Sequence, residues 1–263
     1  MTFAATRHDV DGYTFDVYDT GGRDETVYLI LHGVGLSHRP YELLARHLSR
    51  DGRVIALDLP GFGSTAKPSG AVSVEEYARL IAMLVKRLDV TSFVAIGHSM
   101  GAQFALELAL LRPSSVSHLV MIGPVADSRR HTAIRHSMAL VRDSVLEPLT
   151  TNAMVFTDYL RCGPRWYFRE VAAMLDYPTH EHVKRLTRPL LIIRGANDPI
   201  AVATWCTRLT EIAGGGVNVT IPRKRHVVVH TAADDVAQTI TSFVAPAHGG
   251  SIPSAAVNTV ARG

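Results

Sequence analysis

The feature that most constrains the fold of this chain is one serine at the junction of two apolar segments. The apolar, β-branched run at 94–96 stops at Gly97, and a helix-forming run begins after Gly101. This order predicts a buried strand, a tight corner at Ser99 and a helix. Because the strand and helix backbones close on the corner, Gly97 and Gly101 occupy positions that must lack a side chain.

Residues 97–101 have the form G-x-S-x-G, which is the pattern of a nucleophile elbow. The strained corner lifts Oγ of Ser99 off the sheet edge and places it at a helix N-terminus. The partial positive charge there favours developing negative charge. A simple turn with a surface serine is the alternative interpretation, and the strand before and helix after favour the elbow.

Composition excludes several classes of protein. The chain has 263 residues, 47% of them hydrophobic and 19% charged, with a net charge of +3 that is not clustered. These values are typical of a globular protein and do not indicate nucleic-acid or membrane binding. Cys162 and Cys206 lie outside any C-x-x-C pattern, and no segment is apolar enough for a signal peptide or membrane span. We therefore expect a cytoplasmic monomer or homodimer that acts on a small molecule.

Strand patterns alternate with helical patterns along most of the chain. A run of alternating polarity around Gly12 predicts an edge hairpin or a pair of strands. Continuous apolar runs predict buried strands at 27–31, 54–57, 94–96, 119–122 and 190–193. Such alternation predicts an α/β fold with a mostly parallel central sheet flanked by helices. Ligands bind such sheets at the carboxyl ends of the strands.

The alternation lapses after the sixth strand, where only helical periodicity remains. We predict a core formed by residues 1–124 and 188–245, with a helical cap inserted at 125–187. The tail at 246–263 is rich in Gly, Pro, Ser and Ala without periodicity, which predicts disorder.

A serine hydroxyl reacts at neutral pH only beside a base, and the base needs an orienting partner. In this chain Ser99, Asp198 and His226 each follow a predicted strand, as does the loop at 32–35. The carboxyl ends of parallel strands meet at one edge, so we expect all four features to lie close together. Their order along the chain is serine, acid, histidine.

These motifs together resemble the α/β-hydrolase superfamily, over residues 10 to 243. The matching segments are H-G-x-G at 32–35, D-x-x-G-x-G-S at 58–64, the elbow at 97–101 and G-x-x-D at 195–198. The resemblance implies the α/β-hydrolase fold, with a cap that determines substrate choice.

The resemblance also implies a role for each matching residue. Ser99 is the expected nucleophile, His226 the general base and then acid, and Asp198 the residue that orients His226. The backbone N–H groups of Val34 and Met100 are the expected oxyanion hole.

One position departs from the family pattern. The family usually has Gly before its catalytic histidine, and this chain has Arg225. His230 is therefore an alternative base, although His226 follows the last predicted core strand directly. Asp127 is an alternative acid for Asp198, because some members of the family carry their acid after the sixth strand.

Three other motif residues are expected to brace loops. Asp58 is predicted to hold its own loop. His32 and His98 are expected to support the loop and the elbow, and are also candidates for substrate contact.

The predicted cap contains an aromatic run with arginines. Trp166, Tyr167 and Phe168 are predicted to form an apolar pocket roof, and Arg165 is a candidate partner for a substrate carboxylate. The alternative is that the aromatics pack on the core and the arginines are solvated. No cluster has metal-ligand spacing and no G-x-G-x-x-G follows the first strands, so we expect neither a metal nor a cofactor.

The sequence leaves three functions open. The first hypothesis is a serine hydrolase that cleaves a small, largely apolar carboxylic ester, lactone or thioester through an acyl-enzyme. The second is hydrolysis of a carbon–carbon bond, as in ring-cleavage product hydrolases, although those generally have Trp after the histidine where this chain has Val227. The third is a non-catalytic, receptor-like protein that binds a small ligand.

Overall fold

The computed structural model describes residues 4–22, 26–125, 149–245 and 256–260. The strands are β1 (Ala4–Val10), β2 (Tyr13–Asp19), β3 (Val27–Leu31), β4 (Arg53–Asp58), β5 (Phe93–His98), β6 (Val116–Ile122), β7 (Leu190–Gly195), β8 (Gly216–Ile221) and β9 (Ala256–Val260). The helices are α1 (Glu42–Leu48), α2 (Val74–Arg87), α3 (Met100–Leu111), α4 (Leu149–Cys162), α5 (Pro164–Asp176), α6 (Thr179–Val183), α7 (Ala203–Ile212), α8 (Val228–Thr231) and α9 (Ala233–Val244).

The described strands form one sheet in the order β1-β2-β4-β3-β5-β6-β7-β8-β9. The strands from β4 across to β8 are parallel to one another, whereas the pairs β1–β2, β2–β4 and β8–β9 are antiparallel. This arrangement confirms the predicted mostly parallel sheet and the predicted hairpin at its edge. The carboxyl ends of β3, β5, β6, β7 and β8 therefore meet along one rim.

Helices cover both faces of the sheet, because the central strands are apolar on both sides. In β3, Leu29 and Leu31 pack in the same cluster as α2 and α3, while Tyr28 and Ile30 pack in the same cluster as α1 and α9. Two layers of helices thus enclose the parallel strands, as such sheets require. None of the helices described is long and apolar enough to cross a membrane.

Helices α4, α5 and α6 lie between β6 and β7 in the chain, and we call them the cap helices. They fall within the predicted insertion. The part of that prediction at 126–148 lies outside the described residues, so the domain limits stay a prediction.

The prediction of a disordered tail is wrong for residues 256–260. These residues form β9, which pairs antiparallel with β8. The backbone of β8 would otherwise be an open sheet edge, and three of these five residues are β-branched, which favours an extended strand.

Candidate active site

The corner between β5 and α3 has the geometry that the sequence predicts. Ser99 has φ +56° and ψ −119°, a strained conformation for a residue with a side chain. A Cβ atom on Gly97 would overlap the backbone of Gly101, and one on Gly101 would overlap the carbonyl oxygens of Leu31 and His32. Only glycine fits either position, so the two glycines are the local cause of the corner.

A buried acid and histidine pair lies at the ends of the next strands. Nδ1 of His226, which follows β8, lies 2.9 Å from Oδ2 of Asp198, which follows β7. Oδ1 of Asp198 accepts hydrogen bonds from the N–H groups of Ile200 at 2.8 Å and Ala201 at 3.0 Å. Asp198 is thus paired with His226 and not with His230, which lies in α8. Asp127 is outside the described residues.

The environment of Asp198 keeps its carboxylate ionised. Burial acts to raise its pKa, but His226 and the two backbone N–H groups outweigh burial and lower the pKa to about 2. A carboxylate only accepts hydrogen bonds, so Nδ1 of His226 carries the proton in this pair. The neutral ring then has its lone pair on Nε2, which is the tautomer that a general base requires.

The end of β6 joins Ser99 to this pair. The N–H of Ser99 donates to the carbonyl of Ile122 at 2.9 Å, and the next residue is Gly123. A Cβ on Gly123 would lie 3.1 Å from Cε1 of His226 and 3.3 Å from Oδ2 of Asp198. The three residues therefore gather around one glycine at the rim of the sheet.

His98 lies under this site in a chain of buried hydrogen bonds. The N–H of Gly33 donates to Oη of Tyr41 at 3.0 Å, and Oη of Tyr41 lies 2.7 Å from Nδ1 of His98. Nε2 of His98 lies 3.0 Å from the carbonyl of His226. Burial, followed by the charge of His226, lowers the pKa of His98 to about 3, so the ring is neutral. The tyrosine then donates to Nδ1, and Nε2–H donates to the carbonyl.

His32 sets the orientation of the loop after β3. The N–H of Leu59 donates to Nε2 of His32 at 3.1 Å, so the proton is on Nδ1, which donates to the carbonyl of Gly33 at 2.9 Å. Burial lowers the pKa of His32, which also favours the neutral ring. In a trans peptide the N–H points opposite to the carbonyl, so the N–H of Val34 points away from His32.

The same loop lies against the elbow, because a Cβ on Gly33 would lie 3.0 Å from Cβ of Ser99. The second expected oxyanion donor, the N–H of Met100, is in the first turn of α3, where backbone N–H groups have no partner within the helix. Both ring nitrogens of His32 and both of His98 make hydrogen bonds to other protein atoms. This favours a bracing role for these two histidines over substrate contact.

Asp58 occupies a structural position at the end of β4. It accepts hydrogen bonds from the N–H of His38 at 2.6 Å and from Oη of Tyr18 at 3.3 Å. A Cβ on Gly63 would overlap its carboxylate. Asp58 therefore links the end of β4 to β2 and to the segment after β3, and its own loop packs closely against it at Gly63.

The cap helices bring only part of the predicted aromatic roof over these loops. Trp166 is buried against Phe62 and Gly61, and Tyr167 lies over Gly35. Phe168 is 50% exposed. Consecutive helical residues point about 100° apart, so three in a row cannot share one face. The structure thus separates Phe168 from the predicted roof.

Arg165 is exposed and lines a surface hollow of about 300 Å³, which it shares with Lys67 and Arg169. Within the described ranges, no group of three or more His, Cys, Asp or Glu side chains has the arrangement of a metal site.

The parallel sheet, the elbow and the acid and histidine pair define a protein of the α/β-hydrolase fold. A profile of the alpha/beta hydrolase family matches residues 28–239, and the chain belongs to this family. It is an enzyme of the hydrolase class that acts on a small molecule.

Similar proteins differ in activity. The chain is 26% identical over 264 residues to the dihydrolipoyllysine-residue acetyltransferase component of the acetoin cleaving system of Pseudomonas putida, covering 92% of this chain and 69% of that protein. It is 21% identical over 245 residues to the (E)-2-((N-methylformamido)methylene)succinate hydrolase of Acinetobacter baylyi, covering 86% and 93%. An esterase structure from Exiguobacterium antarcticum superposes with a TM-score of 0.81 at 20% identity, covering 92% and 99%.

Proposed function

We propose that the protein hydrolyses a small, largely apolar carboxylic ester, lactone or thioester through an acyl-enzyme on Ser99. The observation that carries this proposal is the buried Asp198–His226 pair, 2.9 Å apart, beside a strained serine at the same rim of the sheet. The serine, the base and the orienting acid are the three parts that such chemistry needs.

The proposed reaction has two halves. Nε2 of His226 takes the proton of the Ser99 hydroxyl while Oγ attacks the substrate carbonyl, and the resulting oxyanion accepts hydrogen bonds from Val34 and Met100 N–H. The carbon–oxygen or carbon–sulfur bond then breaks, and His226 returns the proton to the leaving alcohol, thiol or ring oxygen. A water molecule repeats the sequence on the acyl-enzyme and releases the acid.

The ionised Asp198 stabilises the charged form of His226 that exists during each half. Its two backbone hydrogen bonds fix the carboxylate, so the carboxylate orients the ring without itself taking up the proton. In this proposal water is the only co-substrate.

The direct test is a panel of short-chain p-nitrophenyl esters together with labelling by a fluorophosphonate. We expect turnover and stoichiometric labelling for the wild type, and loss of both for Ser99→Ala. Ser64→Ala is a matched control, since Ser64 is an exposed serine of the loop at 58–64. A wild-type protein that neither turns over any ester nor becomes labelled would contradict the proposal.

The same assays separate the two other functions when a vinylogous diketone and a melting-temperature measurement are added. Labelling with turnover only of a vinylogous diketone would indicate a carbon–carbon bond hydrolase, which Val227 after the histidine disfavours. Labelling in a single slow turnover, with a ligand-induced rise in melting temperature, would indicate a receptor-like protein.

A further inference from the structure

Asp158 of α4 is a buried cap residue whose hydrogen bonds go to the core. It is 2% exposed, and its partners lie about 120 residues earlier in the chain. Oδ2 accepts from the N–H of Ser37 at 3.0 Å and from Oγ of Ser37 at 2.7 Å. Oδ1 accepts from Nη1 of Arg39 at 3.1 Å. One carboxylate thus takes three hydrogen bonds from a single short segment.

This segment is the continuation of the loop that carries the Val34 N–H. The N–H of Leu36 donates to the carbonyl of Gly33 at 3.2 Å, which closes a turn, and Ser37 follows directly. Gly35, with φ +76°, lies under the cap, because a Cβ there would be 2.5 Å from the ring of Tyr159. The residue next to Tyr159 in the cap is Asp158 itself. The cap therefore holds the loop at two adjacent points.

The loop is held from its other side by the core. His32 fixes the carbonyl of Gly33, and Tyr41 accepts from the Gly33 N–H. Those two contacts fix the beginning of the loop, and Asp158 fixes its end. A shift of Ser37 would be passed to the Gly33–Val34 peptide through the short turn between them.

We propose that Asp158 is a positioning residue that keeps the Val34 N–H in place as an oxyanion donor, so that α4 contributes to the reaction as well as covering the site. The inference rests on the proposed function, because it assigns Asp158 to the chemistry of Ser99. It differs from a role in substrate selection: Asp158 acts through Ser37 on a donor that matters most in the transition state.

The physical basis is the cost of leaving buried donors without an acceptor. Asparagine at position 158 keeps one acceptor oxygen but turns an NH₂ group toward the others, so at least one of the three donors loses its partner. Relief of that conflict moves the loop. Loss of a whole oxyanion donor lowers kcat by about 10²–10³-fold, and a displaced donor costs less.

The experiment compares Asp158→Asn with Asp176→Asn, the same substitution at an exposed position at the end of α5. For Asp158→Asn we expect kcat to fall by about 10–100-fold, with KM changed less than about threefold. The rate of fluorophosphonate labelling should fall in parallel. Amide hydrogen exchange in a peptide that covers residues 33–38 should become faster on the order of tenfold. Asp176→Asn should leave all four quantities unchanged.

Milder variants cover the case in which Asp158→Asn does not fold. Ser37→Ala removes the Oγ donor, and Arg39→Gln replaces the charged guanidinium with a shorter, neutral amide. Each should lower kcat by about three- to tenfold without raising KM. Unchanged kcat, labelling and exchange in the variants would overturn the inference, as would a rise in KM at constant kcat. If the wild type neither turns over nor labels, the proposed function fails. The exchange rate then decides whether Asp158 fixes the loop.

Discussion

Two buried carboxylates, one at the rim of the core and one in the cap, have opposite environments. Asp198 accepts three hydrogen bonds, and its pKa is lowered to about 2. Glu170 of α5 is 0% exposed, and neither of its oxygens makes a hydrogen bond of good geometry to the described residues. Burial raises the pKa of Glu170 to about 7. Weak polar contacts with the Tyr77 side chain and the Val72 backbone, and the charge of Arg169, lower the pKa but offset burial only in part.

The difference shows that the hydrogen-bond donors around a buried carboxyl group decide whether it stays charged. Burial is nearly complete in both places, and it disfavours the charged form in both. At the rim Asp198 keeps its negative charge, which interacts directly with His226. In the cap the acid is neutral below about pH 7, so we expect the stability that Glu170 contributes to change with pH near neutrality, whereas Asp198 stays ionised over the same range.

The largest expected effect comes from removing the charge at the rim. Asp198→Asn should lower kcat by about 10⁴-fold, because an amide favours the wrong tautomer of His226. Glu170→Gln makes the same carboxyl-to-amide substitution in the cap, where the acid is already neutral at pH 6, and should leave kcat within about threefold at that pH. Steady-state kinetics on a p-nitrophenyl ester measures both. Comparable losses from the two variants would remove the distinction between the regions.

The next effect concerns the backbone of the rim. Gly101→Ala should destabilise the protein by about 3–5 kcal/mol, because the new methyl group overlaps main-chain carbonyls of β3 and its loop, which cannot rotate away. Gly70→Ala is the control, since nothing lies within 4 Å of a Cβ at that position. Urea unfolding followed by circular dichroism gives both values. Equal stability of the two variants would mean that the corner is looser than its geometry indicates.

The rim was predictable from the sequence because its constraints are local. The two glycines around Ser99, the order of serine, acid and histidine, and the strand before each are all visible as short patterns. Tyr41 and Asp158 were missed because their contacts join residues 57 and about 120 positions apart, and no short pattern marks them. The only sign of Tyr41 and Asp158 in the sequence is that each is a polar residue in a segment whose apolar neighbours must pack against the rest of the protein.

The cap was predictable only as helical periodicity. A glutamate in an amphipathic helix predicts a solvated position, yet Glu170 is fully buried, because one face of α5 packs on α2 and the loop after β4. The same periodicity did not show that Phe168 points away from Trp166. Burial of single side chains depends on which elements meet, and the sequence of α5 does not contain that information.

The pH dependence of stability sharpens the comparison further. The pKa of Glu170 in the folded state, about 7, is above its ordinary value of 4.5, so its contribution to stability is present below pH 4.5 and is lost as pH rises to 7. Between pH 5 and pH 8 the wild type should lose up to about 2–3 kcal/mol through this group, and Glu170→Gln should not. Chemical denaturation at both pH values measures the difference. The exposed Glu211 provides the control substitution, and an unchanged pH profile in Glu170→Gln would show that Glu170 does not cause the loss.

The smallest expected effect is at the surface of the cap. Arg165 is exposed and shares its hollow with Lys67 and Arg169, so a carboxylate bound there would gain about 0–1 kcal/mol from Arg165. Arg165→Gln should therefore raise KM by about two- to fivefold for a p-nitrophenyl monoester of a dicarboxylic acid. A neutral ester of matched length should be unaffected, and added salt should abolish the difference because exposed charges are screened. A rise in KM above tenfold that is restricted to the anionic ester and insensitive to salt would contradict this expectation. It would mean that Arg165 binds the substrate carboxylate in a buried place, where direct hydrogen bonds hold the charge as they do at Asp198.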